Sequence, residues 1–357
     1  MMSLGDFSGL GLPANLAIFA VAASIVWIAG YKLAQYLDAI ADKTGLGEAF
    51  VGMLLMGTIT SLPEIAAVST SGYIGNAALA TNNLLGSVSI NVVLIAVADA
   101  VLGRDAITST IGRPTTLMQG VLVVGALALT LCAVLVGDVS LGPVGAWSVA
   151  LVGYVVVAFW ISAGYGGRAP WRLKERRDRH STERKEDREN GEQDNETAER
   201  SLTTLMLLTA LCAAAILVAG FCLAQSGDAV AKLTGLGSGI VGHVLVGFAT
   251  SLPELSSIIS AVRLRRYEMV FGDVFGTNIL TLGLIFLADL FYAGEPVLNQ
   301  AGRFEAVAAT VGIILTGIFL VGLLERENKT FLRMGYDAVA ALVTFVAGIV
   351  LLYFIQD

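Results

Sequence analysis

The sequence Thr-Ser-Leu-Pro-Glu occurs twice in this chain, at residues 60–64 and again at residues 250–254. Both copies lie inside long apolar stretches. Each proline lacks an amide hydrogen, so a carbonyl in the preceding helical turn loses its donor. Each glutamate, Glu64 or Glu254, is an ionisable group at a depth where it costs at least about 2.5 kcal/mol without a partner. The motif therefore predicts a bent membrane helix that carries a functional carboxylate.

An internal repeat surrounds the two copies. They are 190 positions apart, and three further short matches share that offset without a gap, which chance does not supply. Self-similarity at a fixed period indicates a repeated structural unit. The further matches are residues 44–47 with 234–237, Gly86-Ser87 with Gly276-Thr277, and Ala98-Asp99 with Ala288-Asp289.

The composition is that of a membrane protein. Hydrophobic residues make up 55% of the chain, charged residues 14%, and the mean hydropathy is +0.76. A soluble domain of this size needs far more surface charge. The net charge of −7 comes mainly from one hydrophilic segment and says little about partners. The odd count of 3 cysteines, without metal-ligand spacing, excludes a disulfide framework and indicates packing residues.

About ten apolar runs are long enough to cross a hydrocarbon core of roughly 30 Å. They group as residues 1–165 and 202–357, five in each, and a charged segment at 166–201, interpreted as a solvated tether, joins the groups. Because five is odd, the second copy crosses in the opposite sense, as in secondary transporters. The expected fold is an all-α polytopic membrane protein, with ten transmembrane helices in two inverted five-helix repeats. The runs begin near Leu16, Gly47, Leu84, Thr116, Leu141, Leu202, Gly237, Met269, Gly302 and Tyr336.

Lys and Arg concentrate in alternate loops and in the charged segment. The positive-inside rule then places both termini outside and the linker in the cytoplasm. No basic residue precedes the first apolar run, so a cleaved signal peptide is not expected. We expect a multi-pass protein of the plasma membrane, of prokaryotic type.

Helical spacing gathers oxygen ligands around each glutamate, on neighbouring turns of the same helix and on the next helix. Carboxylates, hydroxyls, an amide and freed carbonyls are the ligands of calcium rather than of zinc or copper. Two carboxylates neutralise one divalent cation, and the same groups could hold sodium ions or protons. The candidate residues are Gly57, Thr60, Ser61 and Glu64; Ser87 and Asn91; Gly247, Thr250, Ser251 and Glu254; and Thr277 and Thr281.

At these residues the sequence resembles the calcium/cation antiporter superfamily, and in particular the prokaryotic sodium/calcium exchangers. The resemblance covers both halves and excludes the linker. It implies a central calcium site at Glu64 and Glu254, with backbone oxygens near Thr60 and Thr250, and first and sixth helices that slide as a gating pair. It also implies flanking sodium sites at Gly57, Ser61, Ser87, Gly247, Ser251 and Thr277.

Two positions depart from the family pattern. Thr281 stands where the sodium/calcium branch often has Asp, whereas its counterpart Asn91 fits the pattern. Asp273 replaces the more usual Asn after Gly272, and a proton-linked, an entrance and a helix-end role all stay open for it. His243 is interpreted as a hydrogen-bonded interior residue, with a proton carrier as the alternative.

The expected function is exchange of Ca²⁺ for Na⁺ by alternating access, with exchange of calcium or another cation for protons as the alternative. An ion channel and an intramembrane enzyme that uses the glutamate pair as acid and base are remote alternatives. Since no nucleophile, metal triad or phosphate loop accompanies the pair, we expect a transporter and no enzyme. We expect no cofactor, no nucleic acid and no obligatory protein partner; the partners are the ions and the lipid bilayer.

Overall fold

A computed structural model describes residues 7–44, 60–103, 105–111, 114–168, 200–263, 265, 267–331 and 333–356. This part of the chain is almost entirely helical. Gly57 and most of the linker, residues 169–199, lie outside it. The helices are α1 (Leu12–Thr44), α2 (Leu62–Tyr73), α3 (Ala77–Leu102), α4 (Pro114–Val136), α5 (Ala146–Arg168), α6 (Leu202–Thr234), α7 (Ser238–Thr250), α8 (Leu252–Arg263), α9 (Tyr267–Gly283), α10 (Ile285–Phe291), α11 (Arg303–Glu325) and α12 (Tyr336–Ile355).

Within the described ranges, eight helical stretches are long and apolar enough to span a membrane, or nine if the bent pair α7 and α8 is one span. A polytopic helical membrane protein is therefore confirmed. Of the second predicted span, the structure describes only the part that contains α2, because residues 45–59 lie outside the described ranges. Ten spans in two inverted repeats thus stay a prediction.

Two span starts differ from the sequence expectation. Helix α3 begins at Ala77 rather than near Leu84, because Asn76 caps it by accepting a 2.9 Å hydrogen bond from the Leu79 amide. The first turns of α3 carry buried polar residues, which lower the local hydropathy to a value typical of a loop. Helix α5 begins at Ala146 rather than near Leu141, because a tight antiparallel hairpin occupies residues 140–145.

Helix α3 forms the centre of the molecule. It is buried along almost its whole length and packs against α7, α8, α9, α11 and α12. Apolar side chains of these helices form the main core, in which Phe271 makes edge-to-face contacts with Phe275 and Phe319. Large apolar side chains on the outer helices remain exposed, Met206 and Leu207 of α6 among them, as expected for lipid-facing surfaces.

The 190-residue offset also relates structural elements that the sequence matches did not reveal. The hairpin of β1 (Ser140–Leu141) and β2 (Val144–Gly145) recurs as β3 (Thr330–Phe331) and β4 (Met334–Gly335). A 3₁₀ turn at Ile107–Thr110 recurs at Val297–Asn299. In each half, the 3₁₀ turn follows the helix that carries the repeated Ala-Asp pair, which is α3 in the first half and α10 in the second.

Asp99, near the end of α3, connects parts of both halves. Its Oδ1 accepts a 2.6 Å hydrogen bond from the amide of Ile107, in the 3₁₀ turn of its own half. Its Oδ2 accepts a 2.6 Å hydrogen bond from the amide of Gly335, in the hairpin of the other half. The carboxylate therefore clasps the two halves together.

Asp289, the counterpart of Asp99 in α10, makes the matching contacts. Its Oδ1 accepts a 2.6 Å hydrogen bond from the amide of Val297 and its Oδ2 a 2.8 Å hydrogen bond from the amide of Gly145. The four donors obey the same offset. The repeated Asp thus has a structural role as a clasp. Asp99 links the first half to the hairpin of the second, and Asp289 links the second half to the hairpin of the first.

Helices α1 and α6 pack along each other, and each also crosses a proline-containing helix of the other half. At the crossings a glycine permits close approach. An added Cβ at Gly30 would lie 2.9 Å from the ring of Pro253, and one at Gly220 would lie 2.5 Å from the Ala66 Cβ and 3.0 Å from the Pro63 carbonyl oxygen. Gly30 and Gly220 are themselves 190 positions apart.

We predict that Asp99→Ala lowers the free energy of unfolding. Each lost hydrogen bond to an ionised acceptor contributes about 1.5–3 kcal/mol. Thermal unfolding of the purified protein in detergent measures the change, with Asp289→Ala as the symmetry-related variant and the exposed Glu295→Ala as control. A melting temperature of Asp99→Ala equal to that of the control would contradict the clasp.

Gly220→Ala is predicted to destabilise the packing of α6 on α2. The new methyl group overlaps a neighbouring Cβ and a backbone carbonyl, which cannot both move away, and overpacking of this kind costs about 1–3 kcal/mol. The matched control is Gly153→Ala in α5, where an added Cβ meets nothing within 4 Å. Thermal unfolding should separate the two variants, and equal melting temperatures would show that the crossing is loose.

Candidate cation site

Both copies of the repeated motif have a non-helical backbone at the serine. Ser61 (φ −79°, ψ 3°) and Ser251 (φ −83°, ψ 6°) have nearly the same non-helical backbone, and α2 and α8 begin at the following leucine. Helices α7 and α8 meet there at a bend of 47°. The bend predicted from the proline is therefore confirmed for the second half.

The breaks place helix ends in the interior of the protein. Glu64 lies in the first turn of α2 and Glu254 in the first turn of α8, so each carboxylate is next to a helix N-terminus. Aligned peptide dipoles make such an N-terminus positive, and unpaired amides point outward from it. Both ends therefore favour negative charge at the glutamates.

Helix α7 crosses α3 at very short range. An added Cβ at Gly86 would lie 2.1 Å from the carbonyl oxygen of His243, and one at Gly247 would lie 3.0 Å from the amide nitrogen of Ser87. The residues Val241–Val246 of α7 form a π-helical turn at this crossing. Such turns are rare and are frequent at functional sites. The two glycines bring the motif of the second half against α3 of the first half.

Polar side chains from both halves meet at the crossing. The hydroxyls of Ser87 and Thr250 are 3.0 Å apart, and the Thr250 hydroxyl donates a 3.3 Å hydrogen bond to Asn83 Oδ1. Glu64 lies beside Thr250 and Ser87, and Glu254 lies beside Thr60. The two glutamates are close enough to interact electrostatically. The structure thus brings three further predicted site residues, Thr60, Ser87 and Thr250, beside the pair.

The site contains many buried oxygen atoms without a hydrogen-bond partner among the described residues. They include all four carboxylate oxygens of Glu64 and Glu254. Buried polar atoms normally have partners, so such a concentration indicates a place for an ion or for water. The other unpartnered oxygens are the hydroxyls of Ser251, Thr277 and Thr281 and Oδ1 of Asn91.

No positive side chain within the described ranges forms an ion pair with either glutamate; the pairs found there include Lys232–Asp228 and Lys329–Glu327. Nor do three or more His, Cys, Asp or Glu side chains of these ranges gather into a metal cluster. Any cation between the glutamates must therefore complete its shell with hydroxyl, amide, backbone or water oxygens.

The remaining predicted residues are buried near the same level. Ser61 and Ser251 occupy the helix breaks, and Thr277 and Thr281 lie on the inner face of α9. Asn91 donates a 3.0 Å hydrogen bond to Asn278 Oδ1, and Asn278 in turn donates a 3.0 Å hydrogen bond to the Val88 carbonyl. Gly57 belongs to the residues that the structure does not describe.

Two polar residues at the site were missed from the sequence. Asn83 lies one helical turn before Ser87, and this spacing could have identified it. Asn278 has no polar counterpart, since Val88 occupies the matching position, and no pattern marks it.

His243 is interior, as expected, but both of its ring nitrogens lack a hydrogen-bond partner among the described residues, and it packs edge-to-face against Phe304. Its predicted hydrogen bonding is therefore wrong for the described part of the chain.

Comparison with known sequences identifies relatives of this chain. A putative antiporter, CaxA, of Alkalimonas amylolytica is 24% identical over 325 residues, which cover 89% of this chain and 93% of the relative. A sodium/calcium exchanger, MaX1, of Methanosarcina acetivorans is 28% identical over 167 residues, which cover 45% of this chain and 44% of the relative.

Two solved structures share the fold. The H⁺/Ca²⁺ exchanger CAX superposes with a TM-score of 0.65 at 14% identity, covering 96% of this chain and 85% of the other. The sodium-calcium exchanger NCX_Mj superposes with a TM-score of 0.58 at 17% identity, covering 94% of this chain and 97% of the other. A family model described as "Sodium/calcium exchanger protein" matches residues 14–163 and 204–356, and the chain therefore belongs to the sodium/calcium exchanger family.

Proposed function

We propose that this protein is a secondary active antiporter that exchanges Ca²⁺ for Na⁺ across a membrane. The observation that carries the proposal is the buried pair of Glu64 and Glu254, whose four carboxylate oxygens have no partner among the described residues. A buried, unpaired carboxylate pair is costly unless a cation neutralises it. One divalent cation balances the two charges.

The donor set favours calcium at the centre. Calcium takes about six to eight oxygen ligands in flexible geometry. Two carboxylates supply part of that number, and backbone oxygens near Thr60 and Thr250, together with water, would supply the rest. Imidazole and thiolate ligands, which zinc and copper prefer, do not cluster here among the described residues.

Neutral oxygen ligands on both sides of the pair suit sodium ions. The hydroxyls of Ser251 and Thr277 are buried and unpartnered, and that of Ser87 is shared with Thr250. Ions bound there would compete with calcium for the charge of the same two glutamates, which produces exchange. The proposed sodium ligands are Gly57, Ser61, Ser87, Gly247, Ser251 and Thr277, with Asn91 and Thr281 at the edge of the set.

The proposed architecture is ten helices in two inverted repeats, residues 1–165 and 202–357, joined by a cytoplasmic linker at 166–201. Both termini then lie outside a plasma membrane. The reciprocal clasps of Asp99 and Asp289 support a two-fold relation of the halves. Alternating access would follow if α1 and α6 slide across the broken helices, where Gly30 and Gly220 leave no side chain to obstruct them.

Exchange of calcium for protons is the second candidate. Thr281 provides a hydroxyl where many sodium/calcium exchangers have a carboxylate, so the site has one ionisable group fewer. The fold is shared with an H⁺/Ca²⁺ exchanger as well as with a sodium-calcium exchanger. Calcium uptake into proteoliposomes under an outward sodium gradient or an outward proton gradient, at clamped voltage, decides between the two.

Glu64→Gln and Glu254→Gln are each predicted to weaken calcium binding by at least about tenfold, because tenfold corresponds to only 1.4 kcal/mol and a lost buried charge costs more. Radiolabelled calcium binding and uptake by the reconstituted protein measure this. The control is Glu295→Gln at an exposed position. Calcium uptake at the wild-type level in either variant would contradict the assignment of the site.

Thr281→Asp is predicted to strengthen the dependence of calcium uptake on sodium. Thr281 is buried with an unpartnered hydroxyl, so a carboxylate there would face the same interior as the pair and attract a monovalent cation. Thr281→Asn is the matched control, because Asn stands at the corresponding position 91. If both variants show the sodium dependence of the wild type, position 281 is remote from the ions.

A further inference from the structure

A third carboxylate, Asp273, lies near the glutamate pair but outside the proposed ligand set. It is on α9 at one-turn intervals from two of the predicted ligands, so it shares their helix face. On α3 the corresponding face carries an amide at this level instead of a carboxylate. The two columns are Asp273, Thr277 and Thr281 on α9, and Asn83, Ser87 and Asn91 on α3.

Ser257 connects Asp273 to Glu254. Its hydroxyl contacts Asp273 Oδ2 and lies 2.9 Å from the backbone carbonyl oxygen of Glu254. The counterpart of Ser257 in the first half is Ala67, just as that of Asp273 is Asn83. The carboxyl–hydroxyl pair is therefore present in one half only, and the other half shows which residues these positions accept.

The hydrogen bonds of Ser257 suit both protonation states of Asp273. A serine hydroxyl has one hydrogen to donate and can also accept, whereas a backbone carbonyl only accepts. With Asp273 ionised, Ser257 donates to the carboxylate, and the Glu254 carbonyl, which lies inside α8, keeps its helical amide donor. With Asp273 protonated, the carboxyl group donates to Ser257 and Ser257 donates to the Glu254 carbonyl. The three groups can therefore hold a proton or release it when the Ser257 hydrogen turns.

Asp273 is placed to exchange that proton without binding the metal itself. It does not form a cluster of three acidic side chains with the glutamates in the described ranges. The residue is partly exposed, whereas Glu64 and Glu254 are fully buried. Of the three acidic residues, Asp273 is therefore the one closest to the protein surface, and the proposed proton exchange uses that position.

Among the titratable groups on the helices around α9, Glu254 is linked to Asp273 through Ser257. The helices packed against α9 are α3, α4, α5, α8 and α10, and α11 adds Phe319. Asp99 of α3 and Asp289 of α10 are each held by two backbone amides. The remaining titratable or charged groups on these helices are Cys132 of α4, Tyr154, Tyr165 and Arg168 of α5, Glu254 and Arg263 of α8, and Arg303, Glu305 and Glu325 of α11.

We propose that Asp273 and Ser257 form a proton-binding site beside the cation site, and that Asp273 releases its proton to water when calcium binds. On release, the Ser257 hydrogen turns from the Glu254 carbonyl to the new carboxylate, whose negative charge then favours the bound cation. The inference rests on the proposed binding of calcium by Glu64 and Glu254. By thermodynamic linkage, protons and calcium weaken each other's binding.

The test measures protons released per calcium bound, by titrating the detergent-purified full chain with calcium in weakly buffered solution containing a pH indicator. Calcium affinity is measured in parallel across a pH series. Asp273→Asn, which carries the residue of the matching position 83, should bind calcium with fewer protons released and with a flatter pH profile than the wild type. Glu295→Gln is the control and should match the wild type.

Ser257→Ala, which carries the residue of position 67, keeps the carboxyl group and removes its partner. It should release as many protons as the wild type, with a shifted pH midpoint of calcium affinity. This variant also keeps the test valid if Asp273→Asn fails to fold.

Wild-type proton release in a calcium-binding Asp273→Asn variant would overturn the inference, as would an unchanged midpoint in Ser257→Ala. Complete loss of calcium binding in folded Asp273→Asn would place Asp273 among the ligands and also overturn it. Failure of the proposed function is distinguishable, because the wild type itself would then bind no calcium.

Discussion

Two carboxylates are buried together at the site, and no positive side chain among the described residues pairs with them. The free-energy cost of this burial is the constraint on which the rest of the site depends. Glu64 and Glu254 are tolerable in an apolar interior because each lies in the first turn of a helix, where unpaired amides and the helix dipole favour negative charge. The dipoles reduce the cost without neutralising the pair. In the proposed function a mobile cation supplies the balance, so the physical constraint that shapes the helices would also produce the affinity for ions.

The surrounding structure brings the two broken helices together. Gly86 and Gly247 allow α7 to cross α3 at backbone distance, which places Thr250 of one half against Ser87 and Glu64 of the other. At the periphery, the clasps of Asp99 and Asp289 tie each half to the hairpin of its partner. Between these regions, α1 and α6 approach the proline-containing helices closely at Gly30 and Gly220, and apolar side chains pack beside these crossings. The proposed sliding of α1 and α6 would take place at these crossings.

The two halves are alike where the glutamates and clasps lie and differ in the polar residues around them. Asn83 faces Thr250, whereas its counterpart Asp273 contacts Ser257 of its own half. Asn91 pairs with Asn278, and the positions that correspond to these two are Thr281 and Val88. In the proposed alternating access, which would interchange the conformations of the halves, unequal polar groups would give the two states unequal affinities for protons and cations. Such asymmetry is a physical means of setting ion preference without altering the central pair.

The sequence by itself determined the membrane class, the repeat, the bend at the second motif and the two glutamates that lie buried together, because hydropathy, a fixed offset and a proline–glutamate pair are local signals. It also identified the repeated Asp, but without its role. Only the tertiary structure decided that Asp99 and Asp289 clasp opposite hairpins, that α3 begins at Ala77 after the Asn76 cap, and that Asn83 and Asn278 join the site. These contacts join residues far apart in the chain, and their polar members lie buried where hydropathy reads a loop. Which residues become hydrogen-bond partners depends on how the helices cross. The crossing in turn depends on glycines, and the sequence does not show which glycines lie against another backbone.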